Sequence, residues 1–453
     1  MKPVVGIIGL GYVGLTTGVV LAGHGYQVIG VDIDEDRVRE LQRGRLPIYE
    51  PGLETLFKKA REKALFQATS SYDDLARADI VFITVGTPSL SDGSINLSYV
   101  YAAARSLASV LAEKREYTAV AVKSTVIPGT ARQVARIIGD RTGLVLGRDY
   151  GVASNPEFLR EGKAVEDTLR PSRIVIGEID KRAADTLEEF WLGFYEALGY
   201  KPPVLRVSAE TAEMIKYASN AFLAAKISFA NTLARICEKI PGCDVVDVVK
   251  GMGLDPRINP AFLGAGLGYG GSCFPKDVKA LLAFAKQLCV DASILEAVDR
   301  VNETQPLHVA TMLSNLLGGL EDKEIAILGA AFKPDTDDVR ESRGIELAKL
   351  LAERGAKVRL HDPNPKALRN AERVLAGVRR VTITNSLEEA LRGADAAVIA
   401  TEWKTYQEIP LDKYRLLMRR PLVLDARRVY DPEEAEKKLE YYAVGRGKRV
   451  PQS

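Results

Sequence analysis

The segment Gly268-Tyr-Gly-Gly-Ser-Cys-Phe-Pro-Lys-Asp277 sets a thiol among glycines, four residues before a carboxylate. That order of residue types suits a covalent nucleophile. Glycine lets a ligand approach the backbone closely and takes up φ > 0 at little cost, while Lys276 and Asp277 can promote a thiolate or position a water. A free cysteine taken by itself is a small, usually buried hydrophobe, so the assignment of Cys273 depends on what the rest of the chain brings to it.

Three further groups of residues carry chemistry. Lys216 and Asn220 lie four apart in a helical pattern running from Ser208 to about Lys239, so they share one helix face. Much of that segment is apolar, and a buried lysine has a lowered pKa suited to proton transfer. The loop Ser154-Asn-Pro-Glu-Phe-Leu-Arg-Glu-Gly162 offers Glu157 and Glu161, and the polar loops Val85-Gly-Thr-Pro88 and Lys123-Ser-Thr-Val-Ile-Pro128 offer Thr87, Ser124 and Thr125. With only His24, His308 and His361 in the chain, no histidine-rich metal site is expected, and acid-base work falls to lysine and carboxylates.

The elements that must position these groups begin at the front. Val4-Val-Gly-Ile-Ile8 reads as a strand, Gly9-Leu-Gly-Tyr-Val-Gly14 as a glycine turn, the residues through Ala22 as a helix, and Val28-Ile-Gly-Val-Asp32 as a second strand. In such a βαβ unit Gly9 and Gly11 let backbone N–H groups reach a pyrophosphate at the helix N-terminus, and Gly14 lets the helix pack on the strand. Asp32 can accept hydrogen bonds from ribose hydroxyls and would repel a 2′-phosphate, which favours NAD over NADP. Strand patterns at Ile80–Thr84 and Thr118–Val122 continue the sheet, with their loops at the carboxyl ends where ligands bind.

After Gly319 the grammar restarts: a strand at Glu324–Leu328, a turn at Gly329-Ala-Ala-Phe-Lys333, a helix over about 344–354 and a strand at Lys357–Asp362. This second half keeps a single glycine in its turn, so it is expected to hold a different nucleotide. Lys333, Arg340 and Arg427 are available to phosphate charge. Arg446-Gly-Lys-Arg-Val450 reads as a frayed basic end.

The bounds fit a soluble two-nucleotide protein. The chain has 453 residues, 46% of them hydrophobic, enough for two or three domains. A net charge of +2, from 62 basic and 60 acidic residues, leaves no electrostatic footprint for nucleic acid or an anionic membrane, so small molecules or copies of itself are the expected partners. Cys237, Cys243, Cys273 and Cys289 make no disulfide framework and no C-x-x-C pair, and a reducing cytoplasm is expected. The apolar start, Val4 to Ala22, is interrupted by glycines unsuited to a signal helix, and no later segment has the ~18 apolar residues of a membrane span.

Taken in order, Gly9-Leu-Gly-Tyr-Val-Gly14, Ser154–Gly162, Lys216 with Asn220, Gly270–Asp277 and Ala331-Phe-Lys-Pro-Asp-Thr-Asp-Asp-Val-Arg-Glu-Ser342 resemble the UDP-glucose/GDP-mannose dehydrogenase family over nearly the whole chain. The resemblance implies an α/β fold: a Rossmann-like NAD domain over 1–200, a central helical region with the cysteine loop and dimer core over 201–318, and a Rossmann-like UDP-sugar domain over 319–453. It implies NAD-dependent, four-electron oxidation of a UDP-glucose C6 alcohol through a thioester on Cys273, in a homodimer or a higher homo-oligomer. Lys216, Asp277, Asn220, Glu157 and Thr125 are the implied catalytic partners, with the first general base unassigned. The implied cofactor set is Gly9, Gly11, Tyr12, Val13, Gly14, Asp32, Arg37, Thr87, Thr125, Glu161 and Arg340. The implied substrate set adds Phe158, Leu159, Arg257, Phe262, Gly270, Phe332, Lys333 and Arg427 to Glu157, Lys216 and Asn220, with Arg257 reaching a neighbouring subunit. The rivals are GDP-mannose or UDP-N-acetylmannosamine dehydrogenases, a two-electron β-hydroxyacid dehydrogenase, and a nucleotide-sensing scaffold without turnover.

Overall fold

The computed structural model describes residues 2–447. They form two compact units that divide between residues 219 and 220, a boundary that falls inside the long helix Ala209–Cys237.

In the front unit eight strands make one sheet: β1 (Val5–Ile8), β2 (Val28–Val31), β3 (Phe66–Thr69), β4 (Ile80–Ile83), β5 (Thr118–Val122), β6 (Tyr150–Ser154), β7 (Ile174–Glu178) and β8 (Val204–Ser208). Their order is β3-β2-β1-β4-β5-β6-β7-β8, and every pair is parallel except β6 with β7. β1, β2 and β4 are buried on both faces, which is why they read as unbroken apolar runs. Along β4, Ile80 and Phe82 enter one core and Val81 and Ile83 the other, the period-two alternation of a sheet covered on both sides. An aromatic cluster of Tyr26, Phe82, Phe190, Trp191, Phe194 and Tyr195 anchors the helix Lys181–Glu196 in the first of these cores.

The rear unit repeats the plan with six parallel strands: β9 (Glu324–Leu328), β10 (Lys357–His361), β11 (Val381–Thr384), β12 (Ala396–Ile399), β13 (Leu422–Asp425) and β14 (Glu440–Ala443). Their order is β11-β10-β9-β12-β13-β14. Helices preceding the sheet share its core: Ala234, Val245, Val309 and Leu313 pack in one cluster with Ile325, Ile327, Val358 and Leu424.

Two expectations are corrected here. Cys237 and Cys243 form a disulfide, six residues apart with Cα atoms 5.0 Å apart, where no pairing was expected; the C-terminus of the long helix and the loop after it turn back on each other there. Arg446 is no frayed cation, for it bonds Glu436 and Asp244, while the remainder of that basic tail, from Lys448, lies outside the described residues. Among the described residues no helix is long and apolar enough to cross a membrane, and no cluster of three His, Cys, Asp or Glu could hold a metal.

Candidate active site

The front turn is built around what its glycines lack. Gly9 has φ +95, and a Cβ there would lie 3.0 Å from the Val85 backbone. Gly14 packs so tightly that a Cβ would sit 2.0 Å from the Gly9 carbonyl and 2.3 Å from the Thr84 hydroxyl. Gly11, which caps the helix Tyr12–Gly23, differs: a Cβ there would meet nothing within 4 Å. The space over that helix N-terminus is thus open, as a pyrophosphate requires. Asp32, at the end of β2, accepts from Leu10 N at 2.7 Å, Asp34 N at 2.9 Å and Arg37 Nη1 at 3.1 Å, so the turn and Arg37 fix its carboxylate beside the glycine turn. These residues fit an NAD-type dinucleotide.

Tyr12 and Val13 open the helix, both partly buried. The Tyr12 hydroxyl donates to Glu50 and accepts from Gly162 N at 2.9 Å; burial, with Glu50 beside it, raises its pKa. Glu50 also accepts from Gly162 N and Ala164 N, which ties the loop containing Glu157 and Glu161 to the dinucleotide turn. Thr87 donates to the Thr125 carbonyl at 2.9 Å and Ser124 to the Val85 carbonyl at 2.7 Å, so the loops after β4 and β5 are bonded to each other.

Just beyond β6, Glu157 is buried and pairs with Lys216 at 2.9 Å, a contact that buries both charges. Burial alone would push the Glu157 pKa up, but the Lys216 ammonium, the Leu159 N–H at 2.5 Å and the charge of Lys123 bring it below the usual range. Phe158 lies under the Arg173 guanidinium at 3.7 Å and 5.5 Å from the Lys216 ammonium, with Leu159 half-buried beside it. Glu161, half-buried, is close enough to Tyr12 for its charge to contribute to the hydroxyl's raised pKa.

In the rear unit Cys273 caps the helix Phe274–Gln287. Its sulfur is 3.5 Å from the Ser272 hydroxyl, at the end of the helix where the unpaired N–H groups carry partial positive charge. Asp277 lies one turn in and is 1% exposed. Its carboxylate accepts from Asn220 Nδ2 at 2.6 Å and from Lys276, so the thiol's helix also presents an oriented, buried acid. The glycines before the thiol are required by crowding. A Cβ on Gly270 would sit 2.2 Å from the Glu341 carbonyl, and one on Gly271, at φ +82, would sit 2.7 Å from the Phe332 ring.

Further residues of the implied set sit in the loop 332–342 and on nearby elements. Lys333 stands 5.3 Å over its neighbouring Phe332 ring. The exposed Arg340 guanidinium forks onto Asp338, while its carbonyl accepts from Gly271 N at 3.0 Å. Arg427 is largely buried and donates to the Ala400 carbonyl at 2.7 Å. Phe262 adopts φ +65, costly for a bulky side chain, with its ring 6.1 Å from that of Phe274. Arg257 forks onto Asp255 with 87% of its side chain exposed.

The chain is similar to known proteins over nearly its whole length. Residues 3–195 match the NAD-binding domain of the UDP-glucose/GDP-mannose dehydrogenase family, 210–304 its central domain and 326–432 its UDP-binding domain. The chain belongs to that family. It is 45% identical over 447 residues to a UDP-glucose 6-dehydrogenase of Bacillus subtilis, covering 98% of each chain. Among solved structures, a UDP-glucose dehydrogenase from Pyrobaculum islandicum matches with TM-score 0.88 and 42% identity, over 100% of this chain and 98% of that one. A UDP-D-ManNAc dehydrogenase from Pyrococcus horikoshii matches with TM-score 0.85 and 29% identity, over 98% and 99%. As a member of this family of NAD-dependent dehydrogenases, the chain uses NAD as its cofactor.

Sequence reasoning missed several residues of this dehydrogenase that hold the site in place. Asn302, 1% exposed, brackets Tyr269, accepting from its N–H at 2.8 Å and donating to its carbonyl at 3.1 Å. Arg343, 3% exposed, donates to the same carbonyl at 2.9 Å and pairs with Glu303. Glu50 and Lys123 are two more. All are polar residues inside apolar surroundings, and only the fold brings their partners close, so no local spacing marks them.

Proposed function

We propose that this chain is a UDP-glucose 6-dehydrogenase, oxidising the C6 alcohol of the sugar to a carboxylate with release of two NADH. The observation that carries the reading is Cys273, a thiol at a helix start, followed one turn later by buried Asp277 held by Asn220. A two-electron β-hydroxyacid oxidation has no use for that thiol. Gly9, Gly11, Tyr12, Val13, Gly14, Asp32, Arg37, Thr87, Thr125, Glu161 and Arg340 would hold NAD, which supplies the hydride acceptor for both oxidations.

In the first oxidation the 6-hydroxyl loses its proton to a base, for which Lys216, Glu157, Asp277 or a water are the candidates, with Thr125 and Glu157 ordering the water that relays it. Lys216 and Asn220 stabilise the alkoxide as the carbon loses hydride and becomes an aldehyde. The Cys273 thiolate then attacks that aldehyde, and the alkoxide takes up the proton held by the base to form a thiohemiacetal, whose hydroxyl gives that proton back to the base as the second oxidation begins. Loss of a second hydride from its carbon leaves a thioester. Water oriented by Asp277 and Glu157 adds to the thioester, the C–S bond breaks, and the acid leaves with the thiolate restored.

Phe158, Leu159, Phe262, Gly270, Phe332, Lys333 and Arg427 are proposed to line the UDP-sugar site. A homodimer is part of the same proposal: the long helix exposes Phe222, Phe229 and Ile236 at seven-residue spacing, 68%, 51% and 52% exposed, the stripe of a helix made to be covered. Arg257, exposed nearby in sequence, would serve the neighbouring subunit's substrate. UDP-glucose is favoured over its sister substrates because the relatives so named are 45% and 42% identical, against 29% for the UDP-D-ManNAc enzyme. A panel of UDP-glucose, GDP-mannose and UDP-N-acetylmannosamine with NAD tests this. UDP-glucose should be oxidised at least tenfold faster than the others (kcat/KM); preference for another sugar overturns the substrate, and no turnover with any overturns the enzyme.

A further inference from the structure

Glu157 belongs to a buried cluster with two lysines, only one of which the proposed mechanism uses. Lys123 is the first residue past β5, and the Asn155 N–H donates to the Val122 carbonyl at 2.8 Å, so the ends of β5 and β6 run side by side into the cluster. Lys123, Asn155, Glu157 and Lys216 are 7%, 2%, 8% and 4% exposed. The Lys123 ammonium is 3.4 Å from Asn155 Oδ1, which also accepts from Trp191 Nε1 at 3.1 Å. It stands 5.3 Å over the Trp191 ring and 5.9 Å over that of Phe82. A buried lysine with this packing would be expected to find a carboxylate of its own. The one whose charge favours its ammonium is Glu157, which already pairs with Lys216 at 2.9 Å.

The charged groups facing Lys123 are therefore Glu157, from the loop after β6, and Lys216, from the long helix. Burial lowers its pKa to about 8, Glu157 draws it up and Lys216 pushes it down. At neutral pH most of Lys123 is still charged, and the cluster holds two cations around one carboxylate. Repulsion between like charges is reciprocal, so Lys123 disfavours an ammonium on Lys216 as Lys216 does on Lys123, and it also favours the ionised form of Glu157.

We propose that Lys123 is a positioning residue for the oxidation: buried against Asn155 and the Trp191 ring at the strand end that leads into the cluster, it holds a second positive charge by the Glu157–Lys216 pair, which favours the carboxylate on Glu157 and opposes the ammonium on Lys216. This rests on the dehydrogenase reading, in which Glu157 and Lys216 handle the substrate's protons. A net positive, buried cluster also suits a developing alkoxide. Lys123 itself is assigned no contact with substrate.

The test is the pH dependence of kcat for Lys123→Met, which keeps most of the aliphatic stem and removes the charge. Removing the cation raises the pKa of both Glu157 and Lys216, so the acid and alkaline limbs should both move to higher pH, by roughly half a unit or more. At neutral pH kcat should fall about tenfold, with the KM for UDP-glucose within about twofold of wild type. Lys123→Arg, which keeps the charge, should bring the limbs back toward their wild-type positions, and Trp191→Phe, which removes the other donor to Asn155, should leave them in place. Limbs of Lys123→Met that superimpose on wild type overturn the proposal, whatever happens to kcat or melting temperature, because a packing role would not move them. A shift as large in Trp191→Phe also overturns it, by assigning the effect to Asn155. If the methionine variant does not fold, Lys123→Gln takes the same readout. NADH yield per UDP-glucose in the wild type tests the dehydrogenase reading separately.

Discussion

The two nucleotide turns of this chain use the same contact at different chain distances. In the front unit Gly9, Gly11 and Gly14 fall within six residues and the helix starts at Tyr12. The missing Cβ of Gly14 leaves room for the Gly9 carbonyl, which a Cβ would approach to 2.0 Å. In the rear unit Gly329 opens the turn with φ +125, and the residue whose missing Cβ leaves room for its carbonyl, at 2.3 Å, is Gly344. The helix waits until Arg343. Gly344 thus does in space what Gly14 does, although the rear turn itself, 329–333, keeps a single glycine. Ala330 N and Ala331 N both donate to Asp362 Oδ2 at 2.9 Å, so the rear turn's own acid occupies the N–H groups that a pyrophosphate would need. The loop 332–342 between turn and helix is put to another use: the Phe332 ring, the Arg340 carbonyl and the Glu341 carbonyl abut Gly270 and Gly271, beside the thiol. A shared sheet plan accommodates different nucleotides by what is inserted between turn and helix.

The most severe way to break this equivalence is to add the missing carbons. Gly14→Ala and Gly344→Ala each force a methyl into a carbonyl, and each should cost its own unit about 4 kcal/mol of stability. Urea denaturation with ligand titration reads the result: NADH binding should be lost in the first and UDP binding in the second. A neutral Gly344→Ala would remove the equivalence.

A pH difference should separate the units next. Burial raises Glu213 of the front unit to about 7 despite N–H donors from Gly129 and Ala131, against an ordinary 4.5. Its folded state holds the proton more tightly, so its contribution to stability is complete below pH 4.5 and lost as pH rises through 7. Burial lowers His361 of the rear unit to about 4 from 6.5, so its contribution is complete above 6.5 and lost as pH falls through 4. Each effect is on the order of 3 kcal/mol between its limits. Melting followed across pH 4–8 should lose a fall in stability with rising pH between about 4.5 and 7 in Glu213→Gln, and lose a rise in stability with rising pH between about 4 and 6.5 in His361→Asn; unchanged slopes would contradict the assignment.

A smaller effect should sharpen the contrast between turns. Gly11 has φ −71 and open space around its missing Cβ, so Gly11→Ala should melt like the wild type yet bind NADH about thirtyfold more weakly, on the order of 2 kcal/mol. Equal affinity would mean that the open space over the helix is not where the pyrophosphate sits.

Local patterns exposed most of the architecture. Strands buried on both faces appear as apolar runs, the front glycines fall close enough together to be recognised, and Asp32 closes its strand visibly. The Cys273 loop was legible because its glycines, thiol and acid are consecutive in sequence. What stayed hidden depends on pairs far apart in the chain. Gly344 gains meaning only once the fold sets it against the Gly329 carbonyl, and Asn302 and Arg343 only once they are seen to hold Tyr269. Glu50 and Lys123 look like ordinary surface charges until burial shows otherwise. The Cys237–Cys243 bond was missed because a six-residue gap fits no familiar motif, and only a reversing chain brings it within bonding reach.

The central claim is that one thiol lets this fold carry an alcohol past the aldehyde to the acid. Counting NADH released per UDP-glucose consumed by the full chain, beside Cys273→Ser, tests it most directly. The account predicts two NADH per substrate for the wild type and loss of sustained acid formation in the variant. A ratio of one, or acid formed by Cys273→Ser at the wild-type rate, would contradict it.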